Sequence, residues 1–212
     1  MAAITPAPAE TSGPPPMGLR ERKKLKTRIA IRRATHRLVA EQGYEATTVE
    51  QIAEAAEVSP STVFRYFPTK EDIVLSGGLH PSLETELRAR PPAEDPLDSL
   101  RLVITTGLAA FTPEERAEAV LRTRLMVEVP AIRARMTESI ALTSDLLVRA
   151  LADRTGRPHG DLDVRVFTAA VLGALREVML YWAARDHQDD LAELVDRALR
   201  TLRDGVRLQR PL

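Results

Sequence analysis

Cysteine is absent from all 212 residues, which removes disulfides, thiolate nucleophiles and cysteine-based zinc sites. Aromatic residues make up 4% of the chain, with a single tryptophan, so Leu, Val, Ile and Ala must fill most of any core. Strand-like runs of β-branched and aromatic residues are scarce, whereas Ala and Leu favour helix. No uninterrupted apolar run approaches the roughly 20 residues of a bilayer span. The N-terminus carries five prolines by Pro16, without the basic and apolar regions of a signal peptide. A cytoplasmic, non-membrane protein is expected. Also missing are a nucleophile elbow, a phosphate loop, a paired-histidine metal site and a dinucleotide fingerprint. The four histidines, His36, His80, His159 and His187, are scattered without ligand spacing. The expectation is a non-enzyme that needs no metal or cofactor.

Net charge is zero as well, which at first argues against a nucleic-acid partner. Its distribution reverses that reading. Between Leu19 and Arg37 stand nine basic residues (Arg20, Arg22, Lys23, Lys24, Lys26, Arg28, Arg32, Arg33 and Arg37) against Glu21 alone, a local net of +8. A run of this kind is often only a solvated helix face. Here it leads directly into a helix-turn-helix pattern, which favours a surface turned toward phosphates.

With 44% hydrophobic residues the chain is long enough for one or two cored domains, and its punctuation predicts an all-α fold. Residues 1–18, rich in Pro, Ala and Thr, are expected to be a disordered extension. A first helix is predicted from Leu19 to Gln42, with Gly43 where a left-handed cap would fall. Thr48 with Gln51 forms a capping-box pattern, Ser59 precedes Pro60 at a first helical position, and Thr69 follows Pro68. Gly77, Gly78 and Pro81 then break or bend the chain before helix resumes over 83–90, and 90–96 reads as a linker. Further helices are predicted over 97–111, from the Thr112-Pro113-Glu114-Glu115 start to Val129, and from Pro130 to the loop at 154–160. Two more span 161–185 and 188–208. The 161–185 segment is apolar around much of its circumference, with Val164, Phe167, Val171, Leu175 and Val178 on one side and Val166, Ala170 and Leu172 on another. It therefore needs more than one partner.

Residues 47–72 carry the most specific signal. Ile52, Ala53, Ala56, Val58, Val63 and Tyr66 fall where two crossing short helices need packing residues. Ser59, Pro60, Ser61, Thr62, Arg65 and Tyr66 crowd the start and outer face of the second. Short hydroxyls at a positive helix N-terminus suit phosphates and base edges, and Arg65 can reach a guanine. Phe64 and Phe67 read as hydrophobic glue, and Tyr66 as a phosphate contact through its hydroxyl. Glu50 and Glu54 are expected to point away from DNA.

Gly43-Tyr44, Thr47-Thr48-Val49, Ile52-Ala53, Val58-Ser59 and Phe64-Arg65-Tyr66-Phe67-Pro68-Thr69-Lys70-Glu71 resemble the N-terminal domain of the TetR family of bacterial transcriptional regulators, over roughly 28–75. The resemblance implies a three-helix helix-turn-helix domain over 19–76 and a helical effector-binding and dimerisation domain over 77–212. Thr48, Ser59, Pro60, Ser61, Thr62, Arg65, Tyr66 and Lys70 match positions that commonly touch DNA; Lys26 and Arg28 join them as phosphate candidates from the basic helix. One departure stands out: Glu57 occupies a turn position where the family usually has glycine, so a left-handed conformation would carry some cost.

The expected assembly is a homodimer through the last two helices on a palindromic double-stranded operator, most simply as a repressor released by a small hydrophobic effector. Phe111, Arg122, Met126, Met136, Leu172, Arg176, Met179 and Trp182 are the candidate ligand-binding residues, because a ligand site is usually a largely apolar cavity with one or two polar handles. Arg176 and Glu177 could equally face solvent or pair across the dimer. Few aromatics favour an aliphatic ligand, and the helix layout is similar to the mycofactocin-regulator branch, which implies an acyl-type effector. The alternative is a DNA-binding adaptor controlled by a protein partner.

Overall fold

Three threonine and serine caps set the rhythm of the N-terminal half. The computed structural model describes residues 18–77 and 83–205, and every described element is helical. Helix α1 (Leu19–Gln42) is followed by α2 (Val49–Ala55), α3 (Pro60–Tyr66) and α4 (Lys70–Leu75). Thr48 and Gln51 form a complete capping box on α2, Ser59 Oγ accepts from Thr62 N on α3, and Thr69 and Asp72 form a second box on α4. Each cap contributes about 1 kcal/mol, which matters for helices of six or seven residues that are marginal alone.

Gly43 ends α1, but not as a left-handed cap. Its φ of 85° and ψ of 164° lie in a region essentially open only to glycine, while its N–H still bonds Val39 O. Ile31, Ile52, Ala53, Val63, Phe67 and Ile73 form the buried core of this half, and each sits at 2% exposure or less.

The second half is built from α5 (Leu83–Ala89), α6 (Pro96–Ala109), α7 (Pro113–Glu128), α8 (Pro130–Thr155), α9 (Leu162–Ala184) and α10 (Leu191–Arg203). Asp95 caps α6, Thr112 and Glu115 box α7, and Gly156 supplies a left-handed cap to α8. A large apolar core joins α5 through α10, including Leu87, Leu100, Leu151, Val171, Trp182 and Leu199. The predicted linker 90–96 is firmly held: Arg154 donates to Leu87 O, Arg90 O, Glu94 O and Ser99 Oγ at 2.9–3.2 Å.

Helix α9 corrects one expectation. Its 23 residues are long and apolar enough, by length and composition, to cross a membrane. Val164, Thr168, Val171, Leu175, Val178 and Trp182 nevertheless bury one face in the bundle. Leu162 (72% exposed), Val166 (58%) and Tyr181 (42%) lie open on the other. Leu172, expected with Val166, turns into the core instead. The expected extension over 1–18, apart from Gly18, and the Gly78 and Pro81 bend lie outside the described residues, and the last helix, expected over 188–208, runs from Leu191 to Arg203 with Asp204 as its cap.

A third apolar cluster seats the two halves on each other. Val39, Tyr44 and Val74 from the first half meet Leu121, Leu125, Met126, Ile132 and Met136 from α7 and α8. Two ion pairs flank it. Arg135 on α8 reaches Asp72 on α4 at 2.7 Å, and Arg32 on α1 reaches Glu118 on α7 at 3.0 Å.

Candidate DNA-reading head and effector cavity

The turn between α2 and α3 explains the close crossing of those helices. Glu57 N bonds Glu54 O and Val58 N bonds Ala53 O, a Schellman closure that needs a left-handed residue at Glu57. Glu57 adopts it, with φ 55°. Val58 then packs back against the core that contains Ala53.

Ser59, Pro60, Ser61 and Arg65 are exposed, and Thr62 is half-buried. Their polar atoms are linked: Ser59 Oγ lies 2.9 Å from Ser61 Oγ and 3.0 Å from Thr62 Oγ1, and Arg65 Nη2 donates to Thr62 Oγ1 at 3.3 Å. This is a continuous polar surface at a helix start, with a guanidinium at its edge. Thr48 and Lys26 are also exposed, and Arg28 stacks 4.5 Å over the Phe67 ring. Tyr66 is half-buried, and its hydroxyl makes no hydrogen bond among the described residues. Phe67 is glue as expected, but Phe64 is 52% exposed. Val63 and Phe67 share the inward face one turn apart, which leaves Phe64 about 100° off it.

Lys70 stands differently from the other DNA candidates. Its ammonium donates to Tyr44 O at 2.8 Å and Thr47 O at 2.9 Å, and lies 3.9 Å from the Tyr44 ring centre. Two of its three donors therefore fasten the α1–α2 turn to α4. Beside it the Tyr44 hydroxyl donates to Glu71. Burial and that carboxylate push the Tyr44 phenol well above its ordinary range. Burial pushes the Glu71 carboxyl up, but the Tyr44 hydroxyl and backbone hydrogen bonding outweigh it and hold Glu71 low.

Glu118 is the electrostatic centre of the other contact between halves. His36 is buried, with Nδ1 3.5 Å from Glu118 Oε2. Burial raises the Glu118 carboxyl, while His36, Arg32 and Arg122 pull it down to a net lowering. Gly77 lies against this pair: a Cβ there would sit 2.6 Å from Arg32 Nη1.

A cavity of about 690 Å³ opens chiefly between α6, α7, α8 and α9, with Leu75 at the end of α4 and Gly77 also on its wall. Phe111, Arg122, Met126, Met136, Leu172, Arg176 and Met179 line it, together with aliphatic residues such as Leu83, Ile104, Ile140, Leu147 and Leu175. Phe111 is the one aromatic side chain in that lining. Trp182 does not line it. Its indole N–H donates to Asp189 O at 2.9 Å, and the ring meets His187 edge-on at 4.5 Å. It faces instead a smaller space of about 160 Å³, which shares Leu108, Phe111 and Leu191 with the larger one. The need of a buried indole for an acceptor draws Trp182 to the 185–190 turn. Sequence reasoning missed Ser139 and Thr143, the hydroxyls of the α8 wall, although their spacing from Met136 was available as a signal.

Comparison with known proteins agrees with both halves. Residues 31–76 match the family described as "Bacterial regulatory proteins, tetR family", and residues 94–207 match the "MftR C-terminal domain". The HTH-type transcriptional regulator TcmR of Streptomyces glaucescens is 33% identical over 213 residues, covering 97% of this chain and 93% of that one. Among solved structures, the TetR-family repressor FadR of Thermus thermophilus, in complex with lauroyl-CoA, superposes with a TM-score of 0.56 at 28% identity, covering 87% of this chain and 97% of that one. FadR of Bacillus subtilis, in complex with stearoyl-CoA, gives 0.57 at 25%, covering 84% and 99%. The chain belongs to the TetR family of bacterial transcriptional regulators, as a DNA-binding regulator with a helix-turn-helix head and a C-terminal ligand-binding domain of the MftR type.

Proposed function

We propose that the chain is a repressor that binds a palindromic operator as a homodimer and is released by an apolar, acyl-type effector held in the 690 Å³ cavity. Residues 19–76 serve as the reading head and 77–212 as the effector and dimerisation body, working in the bacterial cytoplasm. The observation that carries this reading is that Met126 and Met136 belong both to the cavity lining and to the apolar cluster seating the head on the body. A ligand that displaces them acts directly on the seat of α1 and α4.

The aliphatic lining suits a flexible chain, and the FadR structures with lauroyl-CoA and stearoyl-CoA support an acyl ligand. The exposed apolar face of α9 supports pairing through α9 and α10, which presents two heads to successive major grooves about 34 Å apart. The polar surface from Ser59 to Arg65 is the part that meets base edges, with Thr48, Tyr66, Lys26 and Arg28 on phosphates and Lys70 at the margin. Release is a population shift: the effector lowers operator affinity only by the difference in its affinity for the two head spacings.

The test starts from genomic fragments retained by the protein, which define an operator. Fluorescence anisotropy on that operator, with lauroyl-CoA or stearoyl-CoA titrated in, should show release at saturating ligand. Binding of neither ligand, with operator affinity unchanged by both, would remove the acyl-effector reading.

A further inference from the structure

One charged side chain in the cavity wall is out of place by every ordinary criterion. Glu86, Glu115, Arg122 and Arg176 are the charged residues of the lining, and Arg122 is the buried one, at 5% exposure. Glu86 and Arg176 are exposed, and Glu115 is half-buried, with its carboxylate accepting from Thr112 N. Arg122 makes no hydrogen bond or salt bridge among the described residues. The carboxylate it feels is Glu118, one turn earlier on α7, which is already engaged by Arg32 at 3.0 Å and approached by His36 at 3.5 Å. Burial pushes the guanidinium down to about 10, against the pull of Glu118 and helped by repulsion from Arg32. It stays charged at neutral pH, so a cation with unused planar donors faces a largely aliphatic space. A buried guanidinium is costly unless its donors are satisfied, and a carboxylate or phosphate matches its fork.

We propose that Arg122 is the anion anchor of the cavity: the effector carries, beside its aliphatic part, an anionic oxygen group that enters the wall of α7 and pairs with this guanidinium. The inference rests on the effector reading above and narrows it to ligands in which an acid group and a chain are joined. A carboxylate at the end of a free fatty chain and a phosphate of a thioester carrier share this chemistry. An uncharged alcohol of equal length lacks it. Pairing at Arg122 also has a route outward, because an anion there competes with Glu118 for the guanidinium and leaves Glu118 more fully to Arg32 and His36 on the DNA-binding helix.

Three probes of one chain length separate the possibilities: decanoate, decanoyl-CoA and 1-decanol. Each is titrated by calorimetry into the full-length protein and into its Arg122→Met and Arg122→Lys variants. The expected result is a loss of about tenfold to a hundredfold in affinity for an anionic probe in Arg122→Met, partial recovery in Arg122→Lys, and unchanged affinity for 1-decanol. A loss confined to decanoate assigns the carboxylate, and one confined to decanoyl-CoA assigns the phosphate; both support the anchor. Wild-type affinity of Arg122→Met for both anions overturns it.

Thermal unfolding of the ligand-free proteins decides the matter without any ligand. An anchor kept for binding is a burden when empty, so Arg122→Met should melt at or above the wild-type temperature. A clear fall would make Arg122 a structural partner of Glu118 and overturn the proposal. If none of the three probes binds the wild type, the acyl-effector reading fails by itself, and the melting comparison still judges the anchor.

Discussion

Glu57 offers a direct measure of backbone strain in the reading head. The residue is exposed, sits at φ 55°, and closes α2 through hydrogen bonds made by its own N–H and by that of Val58. A left-handed conformation costs a residue with a Cβ roughly 1–2 kcal/mol. Glycine removes that cost but loses about 0.5–1 kcal/mol of extra chain entropy on folding. Glu57→Gly should therefore stabilise the protein by about 0.5–1 kcal/mol, or roughly 1–4 °C in the midpoint for a chain of this size. Glu57→Ala is the control, since it removes the carboxylate and keeps the Cβ. Both variants should bind operator somewhat more tightly at low salt, because a negative charge has left the head. Only the glycine variant should melt later. Equal gains from alanine and glycine would show that charge and not strain is at issue, and a lower midpoint for glycine would refute the reasoning.

Five further outcomes are expected. Burial raises the Asp72 carboxyl, but its hydrogen bonds from Arg135 and Thr69 hold it below the usual range. Its stabilising effect is thus present above the unfolded value near 4 and is lost as pH falls through the lower folded value. Arg135→Gln should melt earlier than wild type by a constant margin from pH 7 to about 4, and that margin should shrink only below it; shrinkage between pH 7 and 5 would contradict the assignment. Val166→Arg, on the open face of α9, should shift sedimentation toward monomer and weaken operator binding with it, and an unchanged dimer would place the interface elsewhere. Arg65→Ala should weaken operator binding about tenfold to a hundredfold at unchanged stability. Lys26→Ala should reduce the salt slope of binding by about one, as measured by anisotropy between 50 and 200 mM salt. Gly77→Ala should alter effector response more than operator affinity, because φ 87° and a Cβ 2.6 Å from Arg32 Nη1 displace the Arg32–Glu118 pair. Equal changes with and without effector would remove Gly77 from the coupling path.

What was legible in the sequence was local. The Thr48–Gln51, Thr69 and Thr112–Glu115 caps and Pro60 at a first helical position formed as their spacing implied, because a cap bonds within three residues. The left-handed turn at Glu57 was legible for the same reason. Phe64 could also have been placed: the rotation that puts Val63 and Phe67 inward carries it out. The rest depended on partners far along the chain. Lys70 finds carbonyls 23 and 26 residues away, Arg154 gathers the 87–99 segment, and Trp182 turns to the carbonyl of Asp189. The isolation of Arg122 follows from Glu118 being taken by two residues of α1, and nothing in the spacing of α7 announces that.

In the proposed scheme, coupling must pass through groups that belong to both halves, and these are few. Met126 and Met136 line the cavity and also touch the seat formed with Val39, Tyr44 and Val74. Methionine adapts its shape readily, but a close-packed interior cannot take in a ligand without moving something. The flanking pairs, Asp72–Arg135 and Glu118 with Arg32 and His36, hold the seat in register on both sides, so its displacement is a rotation about them more than a separation. Helix α1 magnifies that rotation. It is anchored at Ile31 and Val39 and runs back as a single helix to Leu19, carrying the basic run with it. At 1.5 Å per residue its far end lies about 30 Å from Val39, so a tilt of about 5° moves the basic end by roughly 2–3 Å. Doubled across a two-fold axis, a shift of that size is enough to take two heads out of step with grooves about 34 Å apart, at no cost to the fold of either head.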